Sequence, residues 1–166
     1  MKSKLLYSLL CAGLLISTAT IAAPLKNKAE LERGHYLVKI GGCNDCHTPG
    51  YPQSGGKIAE ADWLTGNPVA FQGPWGATYP INLRLKMQVI TESQWMSQAR
   101  KETRPPMPWF ALAAMSDRDL KAIYQYIHSL GAKGQPTPDF VAPGHAVNTP
   151  YIEFVPKNLP VVQAEK

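Results

Sequence analysis

The apolar residues of this chain follow a helical period in three places and form one continuous run in a fourth. The run comes first. Leu5 to Ile16 follows Lys2 and Lys4 and gives way to small residues before Pro24. Basic, apolar and small segments in that order make a secretory signal, with cleavage expected after Ala23. The run is too short to cross a hydrocarbon layer of ~30 Å comfortably. Cys11 follows Leu10 rather than the small residue that lipid attachment needs.

The first periodic segment, "NKAELERGHYLVKIGG", predicts a helix from Asn27 to Ile40. Asn27 can cap it and Glu30 can close a capping box. Leu31, Tyr36, Leu37 and Ile40 form its apolar stripe, Gly34 leaves a flat spot for close packing, and Gly41-Gly42 end it. A second helix is expected over "TESQWMSQARK", Thr91 to Lys101, with Thr91 and Gln94 as the capping pair. The third, "SDRDLKAIYQYIHSLG", is the clearest. Ser116 caps it, Asp119 sits at the boxed position, Asp117 suits the positive helix end, and Gly131 stops it. Leu120, Ile123, Tyr124, Ile127 and Leu130 supply its apolar face. No segment alternates as a half-buried strand does, and no internal repeat is seen.

Two glycine- and proline-rich stretches separate or follow these helices. The first runs from Thr48 to Ile90, with at most a helical turn near Ala59 to Leu64. The second follows Gly131, where Pro136, Pro138, Pro143, Pro150, Pro156 and Pro160 punctuate a tail. Phe140, Tyr151, Ile152 and Phe154 make that tail too apolar for a free linker. It is expected to lie extended on the domain or on a partner. The organisation read from the chain is therefore a signal peptide over 1–23, one domain over 24–131 and an extended tail over 132–166. Removing the signal leaves 143 of the 166 residues, enough for one ordinary domain. Lys2 and Lys4 leave with it, so 15 basic against 12 acidic residues give +3 rather than +5. No basic run with interleaved aromatics exists, which argues against a nucleic-acid partner.

The chemistry lies in "GGCNDCHTPG", Gly41 to Gly50. Cys43 and Cys46 are the only cysteines left after the signal. A structural zinc site wants four ligands, usually as two paired clusters, and there is no second cluster. A thioredoxin-type dithiol needs a strand leading into the motif, and what precedes it here is helical. A C-x-x-C-H run in an exported chain reads instead as covalent haem attachment. Two thiols at this spacing reach the two vinyl groups on one edge of the macrocycle, and His47 turns its imidazole under the ring. One motif means one haem c. A porphyrin also accounts for the long irregular stretch, since it supplies core for loops to cover with Phe71, Trp75 and Tyr79.

The sixth position decides the function. Met107 stands in "RPPMPWF", where flanking prolines stiffen a loop that can present a thioether. Met87, read as a loop residue after "NLRLK", is a second candidate. Met96 and Met115 are read as packing residues. His35, His128 and His145 are read as surface or helix-packing residues. Arg84 and Arg104 are candidates for a distal cation over an open iron, or for partners of the haem propionates.

The stretches "GHYLVKIGGCNDCHTPG", "GATYPINL" and "PPMPWFALAAMSDRDLKAIYQYIHSLG" together resemble class I c-type cytochromes. They are most similar to the cytochrome domains that serve periplasmic, membrane-associated alcohol and sugar dehydrogenases. The resemblance covers Leu31 to Gly131, and the tail has no counterpart in it. It implies a small all-α fold with long haem-wrapping loops, in which the first and last helices cross. Gly34 and Tyr36 would then meet Tyr124 and Ile127. It also implies haem held by Cys43 and Cys46 and ligated by His47 and Met107. The function implied is single-electron transfer in the periplasm between redox proteins, a dehydrogenase on one side and an oxidase or reductase on the other. Membrane association would come only through such a partner. No catalytic residue is implied. The alternatives are a haem enzyme or sensor with an open or labile sixth site, and an obligate subunit of a dehydrogenase complex.

Overall fold

The computed structural model describes residues 28–158. The signal peptide, the Asn27 cap and the last eight residues lie outside them. The helices are α1 (Lys28–Ile40), α2 (Cys43–His47), α3 (Leu83–Val89), α4 (Glu92–Ala99), α5 (Trp109–Ala114) and α6 (Asp117–Ser129). A 3-10 turn covers Glu60–Asp62. Three short strands, β1 (Ala70–Gly73), β2 (Gly76–Thr78) and β3 (Tyr151–Glu153), make a small sheet in the order β2-β1-β3.

The caps read from the sequence at α4 and α6 are formed. Thr91 accepts from the Gln94 amide while the Gln94 side chain accepts from the Thr91 amide, a closed capping box on α4. Ser116 accepts from the Asp119 amide at the start of α6. Gly131 follows α6 at φ 75, a backbone state that costs glycine nothing. The α6 stripe then buries Leu120, Ile123 and Ile127 almost completely, each worth ~1.5–3 kcal/mol relative to exposure.

Helices α1 and α6 cross at Gly34. A Cβ there would stand 2.1 Å from the Ala122 carbonyl oxygen and 2.5 Å from the Tyr126 Cβ. Gly34 thus meets Ala122 and Tyr126, not Tyr124 and Ile127, and Tyr36 points to solvent, 57 % exposed. The reason is angular: residues 34 and 36 lie about 200° apart on a helix, so both cannot face one neighbour. Ion pairs flank the crossing, with Arg33 Nε donating to Asp119 at 2.6 Å and Arg118 to Glu30 at 3.3 Å.

Several elements went unseen in the sequence pattern. Helix α3 occupies a segment read as loop; Asn82 caps it, accepting from the Leu85 amide at 3.0 Å. The strands are three or four residues long, too short for alternation to register. The hairpin β1–β2 pairs Phe71 with Thr78, and β3 lies parallel to β1 with Ile152 opposite Phe71. The tail is therefore extended along its own domain. Val141 bridges to Ala77, the Tyr79 and Thr149 hydroxyls are 2.6 Å apart, and Asn82 Nδ2 donates to the Lys133 and Gln135 carbonyls.

Gly34→Ala tests the crossing by the sign of its effect. In an uncrowded helix interior the change stabilises by up to ~1 kcal/mol. Here the added methyl must push α1 off α6, with an expected loss of about 1–3 kcal/mol. A lower denaturation midpoint at unchanged slope is the expected result; an unchanged or higher midpoint contradicts the close contact.

Candidate cofactor site

Helix α1 ends where Gly41 N–H reaches back to the Leu37 carbonyl at 2.8 Å. Gly42 then takes a left-handed conformation, φ 68, and the chain re-enters a short helix at once. In α2, Cys43, Cys46 and His47 stand at i, i+3 and i+4, which puts both thiols and the imidazole on one face. All three line one cavity of about 310 Å³. The other face of α2 is fixed to the loop behind it. Thr48 Oγ1 donates to Asn44 Oδ1 and accepts from the Leu64 amide, both at 2.7 Å, and all three residues are buried.

His47 is buried, with Nδ1 2.8 Å from the Ile81 carbonyl oxygen. A carbonyl can only accept, so the proton sits on Nδ1 and Nε2 keeps its lone pair. Burial holds the imidazole below the usual histidine range, against the smaller opposing effect of the Ile81 bond. The ring is thus neutral at neutral pH. Because its folded value is depressed, its contribution to stability is present above the unfolded value and lost as pH falls.

The thiols are free. Burial pushes Cys43 up to about 11, with Asp45 and Cys46 adding to the rise and a backbone hydrogen bond opposing it. Cys46 is raised too, by burial first and then by Asp45. Both are therefore thiols, not thiolates, near neutrality, whereas a reactive redox dithiol has a lowered value. Among the described residues, no three His, Cys, Asp or Glu side chains are grouped to hold an ion by themselves.

Met107 lines the same cavity between Pro106 and Pro108, on the segment leading into α5. Leu83 of α3, Trp95 of α4, and Ile123 and Ile127 of α6 add apolar wall, and Phe71 and Tyr79 come from the hairpin and the loop after it. Among the described residues, the charged side chains in the lining are Lys86 and Arg104, with no Asp or Glu. An apolar chamber with two thiols and a free imidazole nitrogen on one face of a helix, a thioether on a separate segment and cationic residues fits a porphyrin. Its apolar plate, vinyl groups, metal and two carboxylates each find a matching group.

The remaining candidates fall elsewhere. Met87 is completely buried in α3 and belongs to the helical core, outside the cavity lining. Met96 and Met115 are half-buried and pack on that core. His35 stacks on Trp63 at 5.3 Å, His128 packs beside Tyr124, and His145 is exposed in the tail. Trp75 does not line the cavity; it folds over Gly73, in the turn joining β1 to β2, and its ring lies 6.3 Å from Phe154. Arg84 is neither distal nor at the cavity. It is buried and caps the end of α6, with Nε donating to the Gly131 carbonyl at 2.6 Å and a second nitrogen to that of Leu130. Sequence reasoning had no access to the Ile81 carbonyl, since a backbone acceptor leaves no side-chain signal. Lys86 it missed because α3 was read as loop.

No protein-family profile matches the chain, and no solved structure matches it. Among curated proteins it is similar to the gluconate 2-dehydrogenase cytochrome c subunit of Pantoea cypripedii, 28% identical over 138 residues. That match covers 75% of this chain and 29% of the relative. The chain thus spans less than a third of the length of that cytochrome c subunit of a dehydrogenase.

Proposed function

We propose that this chain is a periplasmic monohaem c-type cytochrome that passes single electrons between redox proteins. Its haem is attached through Cys43 and Cys46 and ligated by His47 and Met107. The observation that carries the reading is the one cavity lined by both thiols, the free side of the His47 ring and the Met107 thioether. Bound there, haem supplies a one-electron couple. Cys43 and Cys46 would hold it by adding across its vinyl groups, sulfur to one carbon and hydrogen to the other, which would need no oxidant. The Ile81 carbonyl fixes the His47 tautomer and makes Nε2 a stronger donor. His47 and Met107 are both neutral ligands, and a Met/His pair favours the reduced state and a relatively high potential.

This role needs no substrate site, so the chain acts as an electron carrier rather than as the oxidising enzyme. The fold is read as class I, on the motif order and the α1–α6 crossing, with the small sheet as an addition. Export rests on the signal-like residues 1–23. The relative's name, a cytochrome c subunit of a dehydrogenase, makes a dehydrogenase the natural electron donor. It also favours a second arrangement, in which this chain is held as a subunit of such a complex. Size-exclusion chromatography of a native periplasmic extract separates the two: the haem signal elutes at the size of this chain for a free carrier, and well above it for a subunit.

Attachment is tested by removing the thiols. Cys43→Ala or Cys46→Ala leaves one thioether, which shifts the pyridine haemochrome band. The double change leaves no covalent haem. Haem that acid–acetone strips from the unmutated, exported protein would overturn the assignment.

The sixth ligand is tested through Met107. The oxidised protein is expected to show the weak far-red band of iron–thioether bonding. Met107→Ala abolishes it, lowers the potential, and opens the site to CO and cyanide. Met115→Leu and Met87→Leu do none of this, since they nearly conserve packing volume away from the cavity. Rapid, complete CO binding by the unmutated reduced protein, with Met107→Ala changing neither band nor potential, would replace this reading with the open-site enzyme or sensor.

A further inference from the structure

Arginines in this structure are consistently spent on acceptors, with one exception. Arg33 pairs with Asp119, Arg100 with Asp117, and Arg118 with Glu30, while Arg84 donates to the carbonyls that end α6. Arg104 has no carboxylate or carbonyl partner among the described residues. Its guanidinium lies instead over the ring of Phe140, 4.0 Å from the centroid, and it lines the cavity. Arg104 is exposed, so water would otherwise leave its long side chain free to sample many rotamers. The ring holds it without neutralising it.

Phe140 belongs to the tail, and the tail is fixed immediately beside it. Val141 exchanges both backbone hydrogen bonds with Ala77, at 2.8 and 3.0 Å. Phe140 also packs on Gly76, where a Cβ would come within 3.1 Å of its ring. Ala77 precedes Thr78, which lines the cavity and whose buried Oγ1 has no hydrogen-bond partner. A positioned, un-neutralised guanidinium and an unpaired buried hydroxyl thus line one cavity to which the described residues bring no Asp or Glu. That combination asks for a carboxylate.

We infer that Arg104 and Thr78 form a carboxylate-binding site at the cavity, and that the tail acts through Phe140 as the strap that positions Arg104 in it. The inference rests on the haem reading above, in which the carboxylate is a haem propionate. It gives the tail a task within its own chain: Phe140 is a positioning residue, and Arg104 is the group that touches the cofactor. A cation held near the ring disfavours the extra positive charge of the oxidised state, so the strap raises the reduction potential.

The experiment uses the exported, haem-loaded protein, with haem attachment checked first by the pyridine haemochrome. Potential is measured by spectroelectrochemical titration, and the propionate bending mode by resonance Raman. Arg104→Gln is expected to lower the potential and shift that mode. Phe140→Leu, which keeps most of the volume but has no π face, is expected to move both in the same direction. Phe140→Trp, which restores a π face, is expected to return both toward the parent. In the Arg104→Gln background, Phe140→Leu adds nothing, because its effect runs through Arg104. Haem-loaded Phe140→Leu that matches the parent in both readouts overturns the strap and leaves the cytochrome reading intact. So does an equal shift from Phe140→Leu with and without Arg104. A chain that carries no covalent haem fails at the first check, and the function reading falls with it.

Discussion

The close contact at Gly34 sets the position of everything else. Because α1 has no side chain there, its backbone comes down onto Ala122 and Tyr126 of α6. That fixes where α1 ends, and α2 begins after the two-residue link Gly41-Gly42 with its thiols and imidazole on one face. The same approach fixes α6, whose Ile123 and Ile127 are at once core and cavity wall. Without the contact the two halves of the site have no common reference. Trp95 of α4 ties in from a third side, donating its indole N–H to the Leu120 carbonyl at 2.8 Å.

The segment from Tyr79 to Asn82 is the second organising element, and it works mostly through polar atoms. Tyr79 holds the tail through Thr149, Ile81 gives its carbonyl to His47, and Asn82 caps α3 while gripping two tail carbonyls. Pro80, between them, has no amide hydrogen to satisfy. The orientation of the imidazole is therefore coupled to the start of a helix and to the path of the tail. Leu64 completes the arrangement. Its backbone lies in the left-handed region, φ 62, a cost of roughly 1–2 kcal/mol. The offset comes from a fully buried side chain and from hydrogen bonds to Thr48, Leu83 and Arg84.

What the sequence made legible is what local chemistry determines. The capping box at Thr91 and Gln94, the Ser116 cap and the Gly131 stop involve residues within a few positions of each other, and each formed. The helical spacing of Cys43, Cys46 and His47 is likewise local. What it hid depends on distant partners. Strand β3 exists because it pairs with β1 some eighty residues earlier, and three residues cannot display a period. Arg84 looked like a free cation because the α6 carbonyls it caps lie far along the chain. Trp75 was expected at the cofactor, but the Gly73–Gly76 pair closes the hairpin so tightly that the ring folds back over Gly73. Tyr36 was misassigned for the opposite reason: hydrophobicity suggested burial where helical angle forbade it.

The distribution of charge in the chamber agrees with the electron-carrier role proposed for it. His47 is kept neutral by burial, the Met107 thioether carries no charge, and the raised thiols are uncharged near neutrality. No carboxylate of the described residues reaches the lining, so none of them would stabilise an oxidised centre there. The charged groups of the described lining are Lys86 and Arg104, both cations, which would suit the carboxylates of the proposed haem. Here the groups in the lining are neutral or cationic, the imidazole has its tautomer fixed by a backbone carbonyl, and the thioether stands on a segment bounded by prolines. Each of these features limits rearrangement when one charge is added or removed, and small rearrangement is what fast single-electron exchange requires.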